Sequence, residues 1–316
     1  MIGVFQGATG LIYLLTHLSQ LWNQPTLLAL AADLIDDLIP CISQDRYFDV
    51  LHGVAGIIPV MLSLAEAGYD QAINCANLCA QHLLQNAIGE NNTLSWPCHQ
   101  PELAQANLTG FSHGASGIGW ALILLGCYIK ENEYITAGRQ AFAYEATKFD
   151  VAQRDWYDLR TSMIKLNGKL PHFANAWCNG AAGIGLSRIA SWAALGKVDD
   201  DLLREAYTAL SATLRNFDKL GNDSLCHGRA GNAELLLRIA KLRDEPYLQM
   251  EANVQAQAQW RNFEKTRHWI CGTGGSEVVP DLMSGLAGIG MHFLRLAYPE
   301  QIPSPLLLDP PPKVES

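Results

Sequence analysis

The sequence predicts an all-α protein, an α/α toroid, and three observations predict it. A short pattern, Gly-x-x-Gly followed by an apolar run, occurs six times, at Gly7–Gly10, Gly53–Gly56, Gly114–Gly117, Gly180–Gly183, Gly228–Gly231 and Gly285–Gly288. The first glycines are 46, 61, 66, 48 and 57 residues apart. That length holds one helical hairpin, and repetition on this scale signals an array. Between the glycine-led runs lie segments whose apolar residues recur at three and four, the mark of helices with one buried face.

The glycine-led helices are read at Leu11–Leu15, Ile57–Leu64, Ile118–Leu125, Ile184–Ala190, Ala233–Ala240 and Ile289–Leu296. They are apolar nearly all round, which predicts burial on both sides. Their partners are Thr26–Ile39, Gln71–Asn86, Glu133–Phe149, Asp200–Asn216 and Tyr247–Arg261, with Leu202, Leu203, Ala206, Leu210 and Leu214 marking the buried face of the fourth. Alternating buried and half-exposed helices describe a closed two-layer ring; an open solenoid is the alternative. The long loops Asn91–Thr109, with Pro97 and Pro101, and Asn262–Asp281, with Cys271 before Gly-Thr-Gly-Gly275, are the expected functional loops. The stretch Ile302–Ser316 is proline-rich and reads as an extended or frayed tail.

Composition narrows the function. With 49% hydrophobic and 17% charged residues the 316-residue chain is globular. A net charge of −9 argues against nucleic acid as a general partner, which needs a basic face. The eight cysteines lack the spacing of a secreted disulfide framework, so they read as reduced, cytoplasmic thiols with a subset for metal. No apolar run reaches the ~18 residues of a membrane span. Met1–Trp22 is apolar but has no basic flank or small-residue cleavage site, and it holds the first motif, so it is read as part of the fold.

The residues just before each first glycine carry the chemistry: Gln6, His52, His113, Cys178-Asn179, Cys226-His227 and Ser284. Cys178, Cys226 and His227 are the strongest set. Two thiolates and an imidazole suit zinc, and three protein ligands with an open fourth position mark a catalytic site. Both cysteines sit two residues before their glycine, so adjacent repeats bring them to neighbouring helix entrances, where the helix dipole favours thiolate. His113 occupies the same entrance level and suits proton transfer, or else is a core histidine bonded to a carbonyl. Asp49, four residues before its glycine, pairs with His113 or acts as an acid, or else caps the following helix. His52 ranks below His113 because its repeat carries no other ligand type. Cys271 reads as a loop thiol, Cys75 and Cys79 as packing residues, and Cys98-His99 is discounted because no glycine repeat follows it. Gly-Thr-Gly-Gly-Ser276 lacks the lysine and spacing of a phosphate loop.

These segments, from Gly7-Ala-Thr-Gly-Leu11 through Asp49-Val-Leu-His-Gly53, Gly110-Phe-Ser-His-Gly114, Trp177-Cys-Asn-Gly180 and Leu225-Cys-His-Gly228 to Ser284-Gly-Leu-Ala-Gly288, resemble the lanthionine synthetase C-like cyclases. The likeness covers essentially the whole chain and is greatest to the C-terminal cyclase domain of class II (LanM-type) lanthipeptide synthetases. It implies an α/α toroid with Zn2+ on Cys178, Cys226 and His227. It implies addition of a cysteine thiol of a precursor (lanthipeptide) peptide to dehydroalanine or dehydrobutyrine, closing a thioether ring. His113 matches the histidine that protonates the enolate, and Asp49 matches its partner or the group that helps deprotonate the thiol.

The chain departs from the family pattern at two places. An arginine four residues before the Cys178 position and a tyrosine after it are here Ala174 and Asn179. The family's seventh glycine-led helix and upstream dehydratase domain have no counterpart in the sequence. Residues 1–302 are therefore expected to be an N-terminally truncated cyclase domain with 303–316 as its tail, exposing apolar edges, and a dehydratase domain or separate chain is an expected partner. The competing readings are a non-catalytic zinc-, thiol- or peptide-binding toroid, and a glycan-processing toroid. The last needs paired carboxylates, which are scarce at the repeat entrances.

Overall fold

All six Gly-x-x-Gly motifs stand at the start of a helix in the computed structural model, which describes residues 1–99, 104, 106–161, 172–275 and 277–312. Residues 100–103 and 105 of the first long loop, Ser276 of the second, and 313–316 of the tail lie outside the described residues. The chain divides into two compact units.

The first unit comprises Met1–Lys148, Asp158–His172 and Leu308–Ser316. It contains α1 (Ala8–Leu21), α2 (Pro25–Asp33), α3 (Ile35–Ile42), a 3-10 turn at Val54–Gly56 that runs into α4 (Ile57–Glu66), and α5 (Gln71–Gln85). A short hairpin of β1 (Ile88–Glu90) and β2 (Thr93–Ser95) follows, antiparallel with Ile88 opposite Ser95, then α6 (Ala115–Ile129) and α7 (Asn132–Ala146). The glycine-led helices α1, α4 and α6 pack in succession, and each also packs on the helix that follows it. Every residue from Ile57 to Ala65 is buried, as is most of α6, as their all-round apolarity requires.

The second unit comprises Phe149–Tyr157 and Phe173–Leu307. A two-residue ladder of β3 (Phe149–Asp150) and β4 (Asp155–Trp156) precedes α8 (Ala181–Ala194), α9 (Asp200–Asn216), α10 (Arg229–Arg243), α11 (Pro246–Thr266) and α12 (Leu286–Ala297). Again the glycine-led helices α8, α10 and α12 pack in succession. The flanking helix α9 buries one face, including Leu202, Ala206 and Leu210, and its Asp199 cap accepts the Leu202 N–H at 3.1 Å.

Three details differ from the sequence reading. The segment read as Thr26–Ile39 is two helices, broken at Leu34 by nothing evident in the local sequence. The two small β-ladders were not anticipated. The tail is anchored rather than frayed at its start: Ser304, Leu306, Leu307 and Leu308 are buried, and Ser304 Oγ donates to the buried Glu234 carboxylate.

The second glycine of the motif has a steric reason. A Cβ on Gly231 would lie 1.8 Å from the carbonyl oxygen of Leu225, and the same clash, with the carbonyl six residues earlier, recurs at Gly10, Gly56, Gly117 and Gly288. The entrance loop curls directly over the first helical turn, and only glycine leaves room. Gly180 has a further reason, since its φ is +121°. No helix among the described residues is long and apolar enough to cross a membrane.

Candidate functional site

The residue two before each first glycine is part of a backbone relay. Phe5 N–H donates to the Leu51 carbonyl (3.3 Å) and Leu51 N–H to the Ser112 carbonyl (3.2 Å) in the first unit. In the second, Cys178 N–H donates to the Cys226 carbonyl (3.2 Å) and Cys226 N–H to the Met283 carbonyl (2.8 Å). Each relay lays successive helix entrances side by side, so residues at equal motif positions become neighbours.

In the second unit this brings together Cys178, Cys226 and His227. One ligand atom from each lies within 4.8 Å of the other two. Cys178 is buried and the other two are half-buried. His227 Nε2 is 2.9 Å from the Gly272 carbonyl oxygen. A carbonyl only accepts, so Nε2 carries the hydrogen, and the neutral ring keeps its lone pair on Nδ1. This is the arrangement of a metal-binding histidine, its other nitrogen tied to a backbone acceptor. The Gly272 segment is itself held in place: the buried Asp223 pairs with Ile270 through its own N–H (2.8 Å) and through the Ile270 N–H on its carboxylate (3.1 Å), and also takes Arg229 at 3.2 Å. Two thiols and a suitably protonated imidazole fit zinc by their donor chemistry. Cys271 is buried beside Gly272 and is not in the cluster.

In the first unit the relay brings together Asp49, His52 and His113, again with ligand-type atoms within 4.8 Å. The loop that presents Asp49 is shaped by buried Asp45, whose carboxylate accepts the N–H groups of Tyr47 (3.1 Å), Phe48 (3.0 Å) and Val54 (3.1 Å). Phe48 is thereby held at φ +61°, a left-handed conformation unusual for a bulky side chain, and its ring stacks on buried His82. Asp49 Oδ1 accepts the N–H groups of His52 (2.7 Å) and Gly53 (3.2 Å), while Oδ2 lies 2.8 Å from His113 Nδ1. Asp49 thus pairs with His113 through one oxygen, as read, while the other holds the entrance loop rather than capping the helix, whose N-cap is Gly53. Burial raises the Asp49 pKa, but the His113 hydrogen bond and the adjacent His52 outweigh it and hold the carboxyl below its ordinary range. His113 is 30% exposed and bonded to a carboxylate, so it is not a buried core histidine.

These side chains line a cleft of about 390 Å³ in the first unit, together with Tyr47, Cys98, His99 and Arg160. The sequence reading undervalued two of them. His52, ranked below His113, stacks on it with ring centroids 5.5 Å apart, and its position immediately before a first glycine, shared with His113 and His227, was the signal for it. Cys98-His99, discounted for want of a repeat, reaches the cleft from the long loop, where His99 packs on Tyr47 at 4.2 Å; the loop's length was its only sign.

The chain is similar in structure to nisin cyclase, with a TM-score of 0.74 and 19% identity over 97% of this chain and 80% of that one. It is also similar to the Lin0763 protein from Listeria innocua (TM-score 0.57, 12% identity, covering 91% of this chain and 85% of that one). A third likeness is to the unsaturated glucuronyl hydrolase from Bacillus sp. GL1 (0.56, 13%, 84% and 78%). At these identities the likeness is one of fold: all-α, in the α/α toroid class. No curated protein sequence matches the chain. The model of the lanthionine synthetase C-like proteins matches residues 1–307, and the chain belongs to that family.

Proposed function

We propose that the chain is a zinc-dependent peptide cyclase that adds cysteine thiols to dehydroalanine or dehydrobutyrine, forming the thioether rings of a lanthipeptide precursor. The observation that carries this reading is the convergence of Cys178, Cys226 and His227 in a member of this family. These three would hold the metal. Bound zinc acidifies a substrate thiol and keeps it as thiolate at neutral pH.

His113 is the proton donor in this reading. Attack of sulfur on the β-carbon forms the C–S bond and places negative charge on an enolate, whose α-carbon must then be protonated. His113 donates that proton from Nε2, because Nδ1 is committed to Asp49. The ionised Asp49 favours the imidazolium and fixes the ring's orientation. The substrate thiol's proton restores the imidazolium, so the cycle consumes none. The peptide enters the cleft beside His113. Asp49 is the only carboxylate among the described residues lining that cleft, which disfavours the glycan-processing alternative.

We further infer that residues 1–302 act as the cyclase domain of the class II type, that a dehydratase domain or separate chain supplies the dehydrated peptide, and that the protein works in the cytoplasm, in keeping with eight cysteines that form no disulfide. The test is zinc content by elemental analysis beside cyclisation of a pre-dehydrated peptide, read as loss of free thiol by mass spectrometry after alkylation. About one tightly held zinc and ring closure support the reading. Cys226→Ala is expected to lose both; zinc retained at full stoichiometry in that variant overturns the ligand assignment.

A further inference from the structure

The two units treat the histidine before the glycine in the same way. His227 has Nε2 tied to the Gly272 carbonyl, so Nδ1 is left for the cysteines. His52 has Nε2 2.9 Å from Gln6 Oε1, which accepts its hydrogen and likewise leaves the lone pair on Nδ1. That Nδ1 is buried and has no hydrogen-bond partner among the described residues. It faces Asp49 Oδ2 at 3.8 Å, beyond hydrogen-bond range. A buried imidazole nitrogen this close to a buried carboxylate calls for a proton or a metal cation between them. His113 Nδ1 reaches the same Oδ2 from the neighbouring entrance.

We propose that Asp49, His52 and His113 form a second site for a divalent cation, zinc foremost, weaker than the cysteine site, whose occupancy blocks His113. Two imidazoles and a carboxylate suit a borderline cation such as zinc. Their ligand atoms, within 4.8 Å of one another, are spaced for bonds of about 2.0–2.3 Å after small side-chain shifts. Loading releases the His113 Nδ1 proton to solvent, so that Nδ1 binds metal while Nε2 keeps its hydrogen, and the ring no longer alternates between imidazolium and imidazole. Lacking thiolates, the site binds more weakly and loses metal as pH falls and the histidines protonate. The block on His113 rests on the function proposed above; the binding site does not.

The experiment is equilibrium dialysis of the whole chain against increasing zinc chloride, with bound metal read by elemental analysis, for the wild type, His52→Asn and Cys226→Ala. The wild type is expected to reach two zinc per chain, the first retained after dialysis into metal-free buffer. His52→Asn is expected to weaken the second zinc ~10-fold or more while keeping the first, and Cys226→Ala to do the reverse. Asp49→Asn serves as a second variant, with circular dichroism reporting the fold of each. Saturation of the wild type at one zinc, or a second zinc unaffected in both His52→Asn and Asp49→Asn, overturns the site. Cyclisation measured in parallel should fall as the second zinc loads; full turnover at two zinc per chain overturns the block. An absence of cyclisation at every zinc level counts against the proposed function and leaves the stoichiometry to decide the site.

Discussion

His113 Nδ1 lies 2.8 Å from Asp49 Oδ2, and the other oxygen of Asp49 holds the backbone at the entrance to the neighbouring helix. One buried carboxylate therefore both builds the loop and orients the histidine. Asp49→Asn keeps an oxygen for the backbone N–H groups but loses the negative charge behind the imidazole. The fold and tightly bound zinc should persist, while ring closure slows by about 10²–10⁴-fold, the usual worth of a positioned acid. A rate within a factor of two of wild type would remove Asp49 from the mechanism.

Gly272 offers a test of the metal site that alters no ligand. A Cβ there would lie 2.9 Å from His227 Nε2 and 2.8 Å from Ser224 Oγ. Gly272→Ala should turn the His227 ring away from its carbonyl and weaken zinc by ~10–100-fold, as loss of a supporting hydrogen bond does. Competition with a chromophoric chelator measures this directly, and unchanged affinity would separate the carbonyl contact from metal binding.

His292 in α12 is buried, and neither ring nitrogen has a hydrogen-bond partner among the described residues. Burial pushes its pKa down to about 4 from an ordinary 6.5. The unfolded chain therefore takes up the proton first. Stability is full above pH 6.5 and declines as pH falls toward 4, by up to roughly 3 kcal/mol from this residue. His292→Leu should remove that share of the slope while changing stability little at pH 8, since an apolar group of similar size leaves no polar atom unpaired. Urea midpoints at pH 8, 6 and 5 give the comparison. Part of the slope will remain, because burial also lowers His17 to about 4.

Gly231→Ala should be far worse than an ordinary surface change. The added methyl meets the Leu225 carbonyl at 1.8 Å, and relieving that contact moves the loop carrying Cys226 and His227. Loss of cooperative unfolding, or of both the midpoint and tightly bound zinc, is expected. Gly290→Ala, at a helical glycine with nothing within 4 Å of an added Cβ, is the control and should be neutral or slightly stabilising.

Much of this was legible in the sequence because the motif is both local and repeated. Gly-x-x-Gly located all six helix starts, and equal offsets of Cys178 and Cys226 from their glycines foretold their meeting. What escaped depends on contacts that no spacing encodes. His99 comes to the cleft through a long irregular loop, and the loop after Cys271 bears on the cysteine site through the Gly272 carbonyl, which no motif marks. The loop geometry at Phe48 is imposed by Asp45, a residue without any motif, through three backbone hydrogen bonds. The pairing of His52 with Gln6 joins residues 46 positions apart and appears only once α1 and α4 are packed.

The links between helix entrances are made by peptide groups, so the scaffold is indifferent to which side chains decorate them. Phe5, Leu51 and Ser112 occupy one relay with the same geometry as Cys178, Cys226 and Met283 in the other. Each entrance is a socket of fixed position and interchangeable content. A reactive group can be gained, lost or exchanged there by a single codon change without rebuilding the frame, and one architecture can in this way hold two cysteines and a histidine at one set of entrances and an aspartate with two histidines at another.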